Sequence, residues 1–376
     1  SVNKKYFADA NRIKNHPFHS AKSITTKVRF VPVVFHILYD TISNDIPDQR
    51  VYSQLKVLND DFLAMNANLY QTQQNFVSKI GVAAVQFYVA NKAPNGADTL
   101  AIIHKHTSVK KFPFNNDVKH NSTNGDDAWN TDKYLNIWIC IQSNSSILGY
   151  SSFPGTGLMN NGNDGTVVNM DNFGLSGNQN APYDLGRTLT HELGHYLGLY
   201  HTFEFGCTDD GDSIKDTPPV LTSHSGCDKG TNTCSNDTPD EIDMVENFMD
   251  YSDDNCMTMF SMGQVAVMNS VLKNIRDSLG YDSVVTFTTQ IGIENATTEK
   301  SINQIYPNPT SEILMINSND KIIRAEIFNA MGQLMKSDVF KIDNSSIHVE
   351  LIPSGNYLLK VLFENGNFET YRFQKK

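Results

Sequence analysis

Apolar residues gather in short runs along the first part of the chain, and their periods define a series of elements. Val28–Tyr39 is β-branched and aromatic-rich, which predicts a strand. Pro47 then opens a helix, because Val51, Leu55, Leu58, Phe62 and Met65 recur at helical spacing. Val82–Ala90 and Leu100–Lys105 read as strands, as does Tyr134–Gln142, where Leu135, Ile137, Ile139 and Ile141 alternate. Asp164–Met170 is a short strand after a Gly- and Asn-rich loop. Pro182–Leu199 and Met262–Leu279 read as helices, the second ended by Gly280. Residues 200–260, between them, are loop-like and rich in Gly, Asp, Thr, Pro and Cys. A loop that long in a compact domain needs a staple.

Residues 1–27 are polar and aperiodic, and read as a tail or the remnant of a pro-segment. Residues 285–303 are polar and read as a linker. Beyond them every pattern is a short strand with turn signals: Ile313–Asn317, Ile322–Asn329, Gln333–Phe340, Ser346–Leu351, Asn356–Phe363 and Glu369–Phe373. The expected organisation is a tail (1–27), a catalytic domain (28–284), a linker (285–303) and a small β-sandwich (304–376).

With 39% hydrophobic residues the chain can bury a real core. No apolar run reaches the ~20 residues of a membrane span. The formal charge of −11 is concentrated: residues 201–260 hold fourteen acids and two bases, a net of −12, and the remainder is +1. Phosphate binding needs clustered basic charge, so the charge pattern argues against nucleic acid as a partner. A cation site or a basic substrate fits the acidic segment better.

Cys207, Cys227, Cys234 and Cys256 fall in that same segment, and Cys140 stands apart in an apolar strand. This reads as two disulfides plus a buried thiol, hence an oxidising compartment. Three pairings are possible. A four-cysteine zinc site competes, although no C-x-x-C spacing is present. Ser1 begins no charged-then-apolar leader, so export implies a leader outside this numbering.

The chemistry concentrates in Thr190-His191-Glu192-Leu193-Gly194-His195-Tyr196-Leu197-Gly198-Leu199-Tyr200-His201, which matches H-E-x-x-H-x-x-G-x-x-H. On a helix, His191 and His195 project from one face and can reach one metal. Gly198 can turn the chain back so that His201 supplies a third nitrogen. Three neutral imidazoles leave a coordination position open, the catalytic arrangement for zinc. Glu192 can act as general base on a water at that position. The alternative reading is a helix with surface histidines.

With these motifs the chain resembles the metzincin metallopeptidases, and within them the pappalysin family, especially its short bacterial and archaeal members. The resemblance covers about residues 28–281. It implies an α/β catalytic domain: a twisted mixed sheet, an active-site helix beneath it, a cleft and a loop-rich lower part. Glu246-Asn247-Phe248-Met249-Asp250-Tyr251 resembles the family's Met-turn. By that match Met249 lies beneath the metal, and Tyr251 would hydrogen-bond the tetrahedral intermediate. Cys256-Met257-Thr258-Met259-Phe260, Gly263-Gln264 and the run Gly211 to Pro218 are similar to the family as well. Thr166, Val167, Val168 and Asn169 look like the sheet edge that pairs with substrate. A structural calcium would be held by Asp212, Asp216, Thr217 and the backbone at Lys215. The implied disulfides are Cys207–Cys234 and Cys227–Cys256. Some resembling enzymes favour Arg or Lys after the cut and use an acid near the Met-turn. Asp253 and Asp254 are there, but Asn255 directly precedes Cys256. No cysteine precedes Cys140, so a cysteine switch within the chain is excluded; a cap on the metal would come from Asp9 or from a segment upstream of this numbering, and Asp9 reads more readily as an ordinary polar tail residue.

Tyr306-Pro307-Asn308-Pro309-Thr310, Ile327-Phe328-Asn329-Ala330-Met331-Gly332-Gln333, Pro353-Ser354-Gly355-Asn356-Tyr357 and the final Arg372-Phe373-Gln374-Lys375-Lys376 together resemble the C-terminal sorting domain of type IX secretion, an immunoglobulin-like sandwich. The expectation is a secreted or cell-surface zinc endopeptidase, with protein or peptide substrates and the type IX machinery as partners. A surface adhesion protein with a vestigial metal site is the alternative.

Overall fold

The computed structural model describes residues 23–156, 162–175, 181–208, 211–235, 240–288, 304–318, 322–329, 334–339, 346–350, 352–363 and 368–376. Asp9 and residues 289–303 of the expected linker lie outside these. The chain divides into two compact units, Ser1–Gln290 and Ile291–Lys376.

The first unit is built on a seven-stranded mixed sheet. Its spine is β1 (Ser23–Tyr39), long enough to take two partners on each edge. β2 (Val85–Val89), β3 (Ile102–His106) and β4 (Leu135–Cys140) all pair with it in parallel. Beyond β4 the sheet continues through β5 (Gly149–Ser151) and β6 (Thr166–Asn169) in the order β4-β6-β5, with β5 antiparallel at the edge. β7 (Tyr281–Thr288) pairs antiparallel with Ser23–Phe30.

Burial explains the patterns. In β4, Leu135, Ile137 and Ile139 enter the main core, while Trp138 and Cys140 enter a second cluster on the opposite face. A strand covered on both faces reads as continuously apolar, and all six residues are buried. Helix α1 (Asp48–Phe62) buries Val51, Leu55, Leu58 and Phe62, the face its spacing predicts. Helices α2 (Arg187–Tyr196) and α3 (Met262–Asn274) add Leu189, Leu193, Val265, Met268 and Leu272 to the same core. α3 starts at a capping box in which Ser261 and Gln264 satisfy each other's backbone N–H.

Three sequence expectations need correction. α2 starts at Arg187, not Pro182. The chain turns at Gly186, with φ of +81°, and the carboxylate of Asp254 accepts the N–H groups of Leu185 and Arg187. The helix is thus capped from a distant loop, which local spacing cannot reveal. The expected tail and linker boundaries at 27 and 285 both fall inside strands. Ser23–Lys27 and Val284–Thr288 extend β1 and β7 by pairing with each other. Thr166–Asn169 is not the sheet edge: β6 lies between β4 and β5, and all four residues are buried. β5, a three-residue strand with no apolar alternation, occupies that edge instead.

The second unit contains two antiparallel sheets. One runs β11 (Leu334–Val339), β10 (Ile322–Asn329), β13 (Gly355–Phe363), β14 (Phe368–Lys375). The other runs β12 (Ser346–His348), β9 (Ile313–Asn317), β8 (Gln304–Tyr306). Leu314, Ile316 and Ile347 of the smaller sheet share one core with Ala325, Ile327, Leu359 and Val361 of the larger, forming a β-sandwich.

Candidate metal centre

α2 presents His191 and His195 on one face, and Gly198, with φ of +91°, ends the helix and reverses the chain. His201 then meets the pair from the other side. Its Nε2 lies 3.0 Å from Nε2 of His195, which in turn lies 3.1 Å from Nε2 of His191. Each Nδ1 is engaged elsewhere. His191 donates to the Phe248 carbonyl at 2.7 Å, His195 to the Leu199 carbonyl at 2.7 Å and His201 to Glu204 Oε2 at 2.9 Å. Protons on all three Nδ1 atoms leave three Nε2 lone pairs aimed at one point.

Such lone pairs repel one another unless a cation lies between them. Zinc–nitrogen bonds of ~2.0–2.1 Å in a tetrahedron set the nitrogens about 3.3 Å apart, close to the observed spacing. Electrostatics favour the same state. Burial, then the neighbouring His195 and His201, hold His191 well below its ordinary range, and burial pushes His195 down to about 4. Both are therefore neutral at physiological pH, the form that can bind a metal. Among the described residues this is the one cluster of three or more His, Cys, Asp or Glu side chains able to hold a metal.

Glu192 follows the first ligand and is buried, with Oε2 free of any protein hydrogen bond. Burial raises its carboxyl to about 8 against the opposing hydrogen bond of Ser151. A divalent cation nearby would draw that value down. Met249 is fully buried under the helix. A side chain at Gly194 would meet Met249 Sδ at 2.2 Å, so only glycine admits the sulfur there. Two residues on, Tyr251 is half-exposed, and its hydroxyl lies 3.1 Å from His201 Nε2.

The three histidines, Glu192 and Tyr251 border a cleft of about 690 Å³. Its far wall is β5, the exposed sheet edge, with Tyr183, Asp254 and Met257 on the near side. The sequence reading missed β5, and it named Asp254 as an acid near the Met-turn without foreseeing that it caps α2. β5 carries no periodic signal, and the acid's partners are far away in the chain.

The disulfides join Cys207 to Cys234 and Cys227 to Cys256, and Cys140 is a buried free thiol pushed up to about 12 by desolvation. In the neighbouring loop, Asp212 Oδ1 accepts Thr217 Oγ1 and the Ile214 N–H, while Oδ2 is buried without a protein partner. Asp216 instead turns to the start of α3, accepting Ser261 Oγ at 2.6 Å and the Gly263 N–H at 2.8 Å.

Residues 118–273 match the family model described as pregnancy-associated plasma protein-A, the M43 peptidases. An extracellular metalloprotease of Colletotrichum graminicola is 31% identical over 254 residues, covering 65% of this chain and 77% of that protein. Mature mirolysin of Tannerella forsythia, solved with a cleaved peptide, is 38% identical with a TM-score of 0.63, over 67% of this chain and 96% of that one. The chain belongs to the pappalysin family. The match to other relatives is partial: the chain spans about half of extracellular metalloprotease 1 of Coccidioides posadasii, at 39% identity over 145 residues. Residues 304–373 of this pappalysin match the secretion system C-terminal sorting domain. The pappalysin is therefore a secreted or cell-surface protein. No described helix is long and apolar enough to cross a membrane.

Proposed function

We propose that this pappalysin is a secreted zinc endopeptidase, and the observation that carries the proposal is the convergence of three histidine Nε2 atoms beside a buried glutamate in an open cleft. His191, His195 and His201 would hold the ion. Bound there, zinc supplies Lewis acidity, polarising a carbonyl and lowering the pKa of water to ~7. Glu192 takes the proton from the attacking water and passes it to the leaving amine, a role suited to a buried carboxylate with a free oxygen. The Tyr251 hydroxyl, at the rim beside His201, donates to the oxyanion. The exposed edge of β5 aligns the substrate by strand addition, which favours extended polypeptides over compact ones.

Three finer elements complete the reading. Basic residues are favoured after the cut, because Asp254 lines the cleft; burial raises its carboxyl to about 6, which leaves it ionised at neutral pH. A structural calcium is held at Asp212, whose Oδ2 is free, with Thr217 and the Lys215 backbone; Asp216, engaged at the start of α3, is left out of the expected ligand set. Calcium chelation with zinc retained should lower the thermal midpoint of the wild type and not of Asp212→Asn. The C-terminal unit, taken as an immunoglobulin-like sandwich from residue 304, is the substrate of the type IX machinery and is preceded by a linker.

The test is digestion of a denatured protein mixture by the full chain, with cut sites mapped by mass spectrometry. Cleavage that stops with a zinc chelator, returns with zinc and places Arg or Lys after the cut is expected. Chelator-insensitive cleavage, or no cleavage by the zinc-loaded chain, overturns the proposal.

A further inference from the structure

Outside the metal centre, one histidine has both ring nitrogens on buried carboxylates. His224 Nδ1 lies 2.6 Å from Asp250 Oδ2, and its Nε2 lies 3.0 Å from Asp243 Oδ2. Both aspartates are fully buried. The backbone N–H of His224 adds a third bond, to Asp250 Oδ1 at 2.9 Å. That same Oδ1 accepts the backbone N–H of Tyr251 at 2.7 Å. The Asp250 carboxylate thus has two donors from His224 and one from the residue whose hydroxyl borders the metal centre.

A buried carboxylate deprived of a charged donor must turn to find another or lose its charge. Either response disturbs the bond that Asp250 makes to Tyr251. The opposite side of the imidazole is equally fixed, since Asp243 also accepts the N–H and hydroxyl of Thr233, next to the disulfide-bonded Cys234. His224 therefore bridges the disulfide-stapled segment and the Met-turn.

We infer that His224 is a positioning residue for catalysis: by holding Asp250 through its Nδ1 it fixes Tyr251 over the metal centre. This rests on the reading of Tyr251 as the oxyanion donor. His224 is well placed to hold a carboxylate. Hydrogen bonds to the Asp243 and Asp250 carboxylates raise it to about 9, so at neutral pH both nitrogens donate.

The test uses two variants of the full chain that keep different halves of the clamp. His224→Asn retains an N–H at the Nδ1 position, toward Asp250. His224→Gln retains one at the Nε2 position, toward Asp243. Steady-state kinetics on a peptide substrate, thermal unfolding, and the same substitutions in a Tyr251→Phe background give the readouts. We expect Tyr251→Phe to lower kcat. His224→Gln should lower kcat about tenfold with KM little changed, and His224→Asn should stay within about threefold of wild type, at similar thermal midpoints. In the Tyr251→Phe background His224→Gln should cost less than about twofold more. Equal losses for Asn and Gln, or a full additional loss in the Tyr251→Phe background, would reduce His224 to a structural role. Wild-type kcat in Tyr251→Phe would instead overturn the reading of Tyr251 itself.

Discussion

In β4 and along the packed face of α2 the buried side chains are mostly apolar, and backbone ladders satisfy the main chain. Among the described residues of 201–261 there is no helix or strand, yet Asp212, Asp243, Glu246, Asp250 and Asp254 are all buried. Each of these carboxylates accepts hydrogen bonds from donors that a ladder would otherwise serve. Glu246 takes the backbone and side-chain N–H of Gln73, Asp243 takes Thr233, and Asp254 caps α2. The net charge of −12 in this segment is therefore in good part directed inward. Acids here replace secondary structure, and the two disulfides limit the freedom of a chain with little of its own.

The comparison can be broken at several points. The largest effect is expected on the regular side: Glu192→Ala should lower kcat/KM by about 10²–10⁴-fold with the fold intact, measured on a fluorogenic peptide with circular dichroism as control. Substantial residual activity would remove Glu192 from the mechanism.

On the irregular side, replacing Cys227 and Cys256 together by Ser opens a loop of sequence separation 29 and should cost about 3–4 kcal/mol of stability. Denaturant unfolding checks this. A loss near zero would mean that the inward carboxylates alone suffice.

Where the two regions meet, Gly194→Ala drives a methyl into Met249 Sδ and should cost about 1–3 kcal/mol, read as a lower thermal midpoint. An unchanged midpoint would show that the Met-turn can yield.

The smallest effect is pH-dependent. His224 is raised from its ordinary 6.5 to about 9 by its two aspartates, so the protonated imidazole stabilises the folded state. That stabilisation is complete below about pH 6.5 and is lost as pH rises through about 9. The thermal midpoint of the wild type should fall across this window more steeply than that of His224→Asn; parallel curves would contradict the clamp.

The same contrast explains what the sequence could tell. The His191, Glu192, His195 and His201 register is local, one helical turn and one reversal at Gly198, so spacing alone brings the three nitrogens together. The helical period of α1 and the alternation in β4 are local too. What escaped is non-local. The start of α2 is set by Asp254, the ends of β1 and β7 by each other, and the identity of the edge strand by the order β4-β6-β5. Asp216 was expected beside Asp212, yet it caps α3, a partner that no spacing within the acidic run specifies.

The most direct test of the account is zinc stoichiometry, measured by elemental mass spectrometry on the purified full chain, His201→Ala and Glu192→Ala. The account predicts one zinc per chain in the wild type and in Glu192→Ala, and its loss from His201→Ala. Full zinc occupancy in His201→Ala would contradict a centre built from all three histidines.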